Sequence, residues 1–217
     1  MTAGVSDRKG TADRESPMRS RLVPTQQRSR DRYERILQCA INVIVEKGSD
    51  AFRMSDIVER TGIAFGSLYQ YFPDKTAVIE ALAERHNAIG RDCVARDLGK
   101  MNRLQDVHAA LCSITDGYYQ MFVDNRVMRD IWTATQADRA LQKLDEDHGA
   151  YLAGLLSGAL HMIAPKVPGA ALSMFSQLMM TLIAAAARHA ILQKPKDARD
   201  FLMLFKQMLP KDLSALQ

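Results

Sequence analysis

A chain of 217 residues, 47% apolar and 25% charged, is long enough for one or two packed domains and too balanced for a disordered or fibrous polymer. Its net charge of +4 is too small to single out a nucleic-acid binder by itself. Three widely spaced cysteines, Cys39, Cys93 and Cys112, argue against a disulfide framework and suit a reducing cytoplasm, where they read as small core residues before redox sensors.

The N-terminal residues have no apolar core of the kind a secretory leader needs. The most apolar run, 178–187, falls far short of the roughly 20 residues that span a bilayer. A cytoplasmic protein with no membrane partner is therefore expected.

The charge is unevenly placed. Residues 1–30 carry seven basic and three acidic side chains, whereas 31–75 carry six and seven. Residues 1–27 mix Arg, Ser, Thr, Gly and Asp without apolar periodicity and read as a disordered basic arm. Arg19, Arg21, Arg28 and Arg30 suit phosphates or a minor groove, and a merely solvated tail accounts for them equally well.

Residues 30–47 form a helix with one stripe, Ile36, Leu37, Ala40, Ile41 and Ile44, and Gly48 ends it as a left-handed cap. After a connector come two short helices, about 55–61 and 65–72, joined at Gly62. Two such helices around a glycine turn form a helix-turn-helix pattern. Ile57, Val58 and Thr61 face inward on the first; Ala64, Leu68 and Phe72 share the inward face of the second. Gly66, Ser67 and Gln70 point outward, with Tyr69 and Tyr71 on the flanks.

That outward face has no charged residue between Ala64 and Phe72. Glutamine pairs bidentately with adenine, hydroxyls bind phosphate oxygens, and glycine lets a backbone come close. A helix buried in an all-α core would show the same lack of charge, and the pattern leaves both readings open.

Pro73 breaks the second short helix, and Asp74 is placed to cap a fourth, running to about residue 96 through Ala77, Val78, Ala81 and Leu82. Lys75 in its first turn brings a cation and free N–H groups towards a phosphate. With no Gly/Pro cluster between them, this helix ties the motif mechanically to the C-terminal segments. Those at 104–123, 126–143, 145–164, 168–193 and 197–209 all read as helices. The fold class is all-α: an N-terminal three-helix helix-turn-helix domain and a C-terminal helical bundle. The expected divisions are 1–27, 28–75 and 76–217.

Residues 104–164 hold aromatic and Met side chains among isolated polar groups, a composition that suits a pocket between helices as well as plain core. Tyr118 and Trp132 are the candidate ligand contacts. The helix after Pro168 is apolar nearly all round, so one of its faces needs a partner. Phe175, Met179, Leu182 and Ala186, with Phe201, Leu204 and Phe205 of the last helix, would form a four-helix bundle across a two-fold axis.

No zinc spacing, phosphate loop or nucleophile elbow is present. Asp145-Glu146-Asp147-His148-Gly149 lacks the spacing of a calcium loop and reads as an acidic helix start. No catalytic residue, metal or cofactor is expected, and the chain does not read as an enzyme.

Residues 57–75 resemble the tetracycline-repressor (TetR) family of transcription regulators. Ile57, Gly62, Gly66, Leu68, Tyr69, Phe72 and Lys75 match its pattern, and Val58, Thr61, Ile63 and Ser67 are close substitutes. The resemblance covers about residues 30–85. It implies DNA contacts by Ala64, Phe65, Gly66, Ser67, Tyr69, Gln70 and Tyr71, and a phosphate held by Lys75.

Three positions depart from the pattern. Arg53 replaces a Thr, which loses a helix cap or shifts it to Ser55 while a cation gains phosphate reach. Ala64 replaces a Ser, and Phe65 a polar residue. The resemblance further implies a homodimer on a palindromic operator in double-stranded DNA. It implies repression, relieved by a small apolar or aromatic effector bound within 104–164. A helical protein-interaction module that reads no DNA is the alternative.

Overall fold

The computed structural model describes residues 27–216. The basic arm expected at 1–27 lies outside the described residues except for Gln27. The described chain forms α1 (Gln27–Ala51), α2 (Met54–Thr61), α3 (Phe65–Tyr71), α4 (Lys75–Leu98), α5 (Val107–Asp124), α6 (Val127–Ala137), α7 (Arg139–Ile163), α8 (Gly169–Ala190) and α9 (Pro195–Met208). Short 3₁₀ turns lie at Leu104–Asp106 and Ser214–Leu216.

The expected stripe of α1 is buried at Ile36, Leu37, Ala40 and Ile44, with Val43 added. Gly48 adopts φ 81° and ψ 161°, so the regular helix ends there as expected, although helical bonding resumes briefly afterwards. Ile57, Leu68 and Phe72 are fully enclosed against this stripe. Each such burial contributes roughly 1.5–3 kcal/mol.

One core gathers α1, α2, α3 and the first half of α4, and also takes in Val127 and Ile131 of α6 and Leu141 of α7. A second gathers the end of α4 with α5, α7 and α8. Helix α4 thus serves both, with Ala77–Ala83 in the first and Val94 and Leu98 in the second. The division at 75/76 falls at its first turn.

Two boundaries differ from expectation. The break expected near residue 144 lies at Asp138, whose carboxylate caps α7 by accepting from Ala140 N at 2.8 Å and Leu141 N at 3.4 Å. Leu141, Leu144, His148 and Leu152 keep helical spacing through the acidic run, so Asp145–Asp147 lies inside α7 and is no helix start.

Helix α8 spans 22 residues, within the expected 168–193. By length and composition it is the one helix among the described residues able to cross a membrane. One side of it packs into the protomer through Leu172, Phe175, Met179, Ile183, Ala186 and Ala187. Met174, Leu178 and Leu182 remain 74%, 52% and 41% exposed on the other.

Candidate functional site

The turn between α2 and α3 rests on Gly62, at φ 68° and ψ 11°, whose N–H donates to Val58 O at 2.9 Å. Thr61 steadies the same turn: its hydroxyl donates to Ile57 O at 2.6 Å and accepts from Ile63 N at 3.3 Å. Arg53 is the N-cap of α2 and makes no side-chain cap, but Ser55 does not replace it. Instead Asp56 reaches back to accept from Arg53 N at 2.7 Å and from Lys47 Nζ at 2.6 Å. The Arg53 side chain stays exposed.

Helix α3 presents an uncharged surface. Ala64, Phe65, Gly66, Tyr69 and Gln70 are exposed and Ser67 is half-buried. Phe65 faces outward and stacks on Tyr69, ring centroids 6.2 Å apart and planes 19° from parallel. Ala64 caps α3 from outside, so its expected place on the inward face is corrected; Ile63 is the buried residue there.

Tyr71 is a second correction. Its ring is buried beside Tyr33, and its hydroxyl shares a 2.8 Å hydrogen bond with Ser29 Oγ. It belongs to the support of the helix and not to its outer face, because α1 passes along that flank of α3. That bond holds the start of α1, with the exposed Arg28 and Arg30, against the end of α3. Lys75 donates to Asp50 O at 3.1 Å, which fixes its ammonium at the edge of the motif.

A cleft, partly open to solvent, lies between α4, α5, α6, α7 and α8. Tyr118 and Trp132 both line it, as do Met121, Phe122 and His148. The sequence did not reveal the group that organises it. Arg188 of α8 donates to both carboxylate oxygens of Asp145 at 2.8 and 2.9 Å and to the Tyr118 hydroxyl at 3.4 Å. Its guanidinium carbon also lies 5.3 Å from the Trp132 ring centroid.

Burial opposes the charge of Arg188, yet Tyr118 and Asp145 hold its pKa above the ordinary value. Burial also raises the Tyr118 phenol, so it stays protonated. The available signal was that Arg188 and His189 are the only ionisable residues in an otherwise uncharged α8. Other aromatic, Met and polar side chains of residues 104–164 lie elsewhere. Met162 is 81% exposed, Tyr151 is 53% exposed, and His108 bonds to Pro210 O at 3.3 Å.

Helix α6 joins cavity and motif. Trp132 and Thr135 face the cavity, Val127 packs into the core of α1, and Ile131 touches both. Thr76 of α4 donates to Asp138 at 3.3 Å and Arg85 pairs with Glu34 of α1 at 2.7 Å, so the two regions also meet through polar contacts.

Of the residues expected to pair two copies, Phe175, Met179 and Ala186 are buried within the protomer, because that arc of α8 faces α5, α7 and α9. Phe201 and Phe205 are half-buried beside Ala186 and Ala190. Leu182 and Leu204 are outward, joined by Met208 of the same periodic stripe on α9 and by Met174, Leu178 and Met203, which helical periodicity alone did not single out.

Residues 36–82 match the family described as bacterial regulatory proteins, tetR family, and 105–216 match the tetracyclin repressor-like C-terminal domain. The uncharacterized HTH-type transcriptional regulator YvdT of Bacillus subtilis (strain 168) is 55% identical over 53 residues, covering 24% of this chain and 27% of that protein. The HTH-type transcriptional repressor KstR of Rhodococcus jostii (strain RHA1) is 31% identical over 87 residues, 40% of each. The chain thus spans well under half the length of these curated relatives. A crystal structure of a TetR-family transcriptional regulator from Pectobacterium atrosepticum shares the fold at a TM-score of 0.67 and 16% identity, covering 89% of this chain and all (100%) of that one.

Proposed function

The chain belongs to the tetracycline-repressor family of transcription regulators, and from that premise we propose that it is a cytoplasmic repressor released from a palindromic operator by a small molecule. The observation that carries the reading is the outer face of α3. A solvated helix surface is normally charged, whereas this one offers Gly66, Gln70 and a stacked Phe65–Tyr69 pair with no ionic group. Gln70 reads a base, Phe65 meets a sugar or a thymine methyl, and Ser67 and Tyr69 bind phosphates. Arg53 and Lys75 flank them as cations; Tyr71 works from behind through Ser29.

Two copies pair through the exposed apolar face of α8 and α9, which sets two α3 helices one duplex turn apart, roughly 34–36 Å. An apolar or aromatic effector enters the cavity beside Tyr118 and Trp132 and displaces α6, which α1 must follow because Val127 and Ile131 are locked into its core. A coupling of about 1–3 kcal/mol suffices for a 5–150-fold change in operator affinity.

Selection of bound fragments from a random DNA pool should recover an inverted repeat. On that operator, Gln70→Ala should relax preference at one position of each half-site by about 1–3 kcal/mol; an unchanged preference across operator variants would rule out base reading by Gln70. Tyr69→Ala should abolish the specific shift and the surface variant Lys206→Ala should retain it. Equal behaviour of the two would favour an interaction module that reads no DNA.

A further inference from the structure

The cavity contains more hydrogen-bond donors than it satisfies. Trp132 and Arg188 line the cavity, and the buried Nε1 of the one and Nε of the other have no hydrogen-bond partner among the described residues. Both can only donate. They are neighbours, since the Arg188 guanidinium lies over the Trp132 ring. The charge of Arg188, in contrast, is already answered by both oxygens of Asp145. On the other side of this polar cluster a second, smaller space shares Tyr118 and Arg188 as walls and is lined by Val94, Ile114, Leu152, Met180 and Ile183.

Taking the cavity as the effector site, we propose that its ligand is a neutral, largely apolar molecule carrying a hydrogen-bond acceptor, a ketone or ester carbonyl, which accepts from Trp132 Nε1 and Arg188 Nε while its hydrocarbon part fills the second space. A carboxylate would set a second negative charge beside Asp145 on one guanidinium. An ammonium brings no acceptor to two waiting donors. A bare alkane leaves both donors as they are, buried and unpaired.

Four probes with the same eight-carbon chain separate these cases: methyl hexyl ketone, octane, octanoate and octylammonium. Trp132 is the single tryptophan of the chain, so its emission reports the site directly; calorimetry gives affinities independently of it. The ketone is expected to shift the Trp132 emission and to bind at least about tenfold more tightly than the other three. In Trp132→Phe, followed by calorimetry, its advantage over octane should shrink about fivefold or more while octane affinity holds.

Octanoate or octylammonium binding as well as the ketone, octane equalling it, or a ketone that does not bind would each overturn the assignment. Should Trp132→Phe fail to fold, the order among the four probes on the native protein still decides. A ketone that binds with this selectivity yet leaves operator affinity unchanged upholds the assignment and refutes regulation through the cavity. Octanoate binding best and loosening the operator does the reverse.

Discussion

Leu204→Asp combined with Leu178→Asp is expected to turn a dimer into a monomer in sedimentation and to reduce operator affinity by about 10²–10⁴-fold, as loss of bivalent attachment does. Met174, Leu178 and Leu182 recur every four residues on α8, so they form one ridge. Met203, Leu204 and Met208 form another on the adjoining α9, 51%, 59% and 75% exposed. Exposed apolar ridges on adjoining helices are what an interaction between copies would cover.

Burying one of its leucines is worth about 1.5–3 kcal/mol, and a two-fold axis counts every substitution twice. A carboxylate enclosed between two such ridges carries a desolvation penalty besides. Ala186→Asp behaves differently. Ala186 is 6% exposed inside the protomer, so its replacement lowers folding stability instead of parting two folded copies. A Leu178/Leu204 double variant that still sediments as a dimer would locate the interface on another face.

Stability is expected to decline as the pH falls from 6.5 towards 4. His86 and His148 are 3% and 8% exposed. Neither His86 ring nitrogen nor His148 Nδ1 has a hydrogen-bond partner among the described residues. Burial, reinforced by the nearby charge of Arg85 for His86 and of Arg91 for His148, pushes both down to about 4 from an ordinary 6.5.

Above pH 6.5 both rings are neutral whether the chain is folded or not, and titration costs nothing. Below it the unfolded chain takes up protons that the fold refuses, so the native state loses ground until the folded rings titrate near 4. At 1.36 kcal/mol per unit, each histidine accounts for about 3 kcal/mol of loss. Denaturant midpoints between pH 8 and 4 measure it, and His86→Leu should remove roughly half of the slope. Equal stability at pH 8 and 5 would contradict this account. Asp97, where Lys100 and Ser113 outweigh burial, is held below its ordinary 3.8 and adds its own loss only at lower pH.

The recognition motif was legible because its determinants are local. Gly62, Pro73, Asp74 and the buried Ile57, Leu68 and Phe72 lie within 18 residues and each acts on its own turn or face. Tyr71 was misread because a residue on the flank of a short helix is assigned by what comes to meet it, here Ser29, 42 positions earlier. The cavity was half-legible: Tyr118 and Trp132 could be named from their chemistry, but the Arg188–Asp145 pair joins residues 43 apart. On α8 the sequence announced two greasy faces without saying which turned inward, since hydrophobicity all round carries no direction. The α6–α7 break was misplaced because a conspicuous acidic cluster outweighed a single capping Asp138.

Helix α4 gives the molecule its thermal behaviour. Its first three turns are walls of one core and its last two of the other, so neither core can melt while leaving α4 whole for its neighbour. Loosening at one end is therefore felt at the other, and heat should take both halves apart in one calorimetric step despite the pair of separate apolar centres.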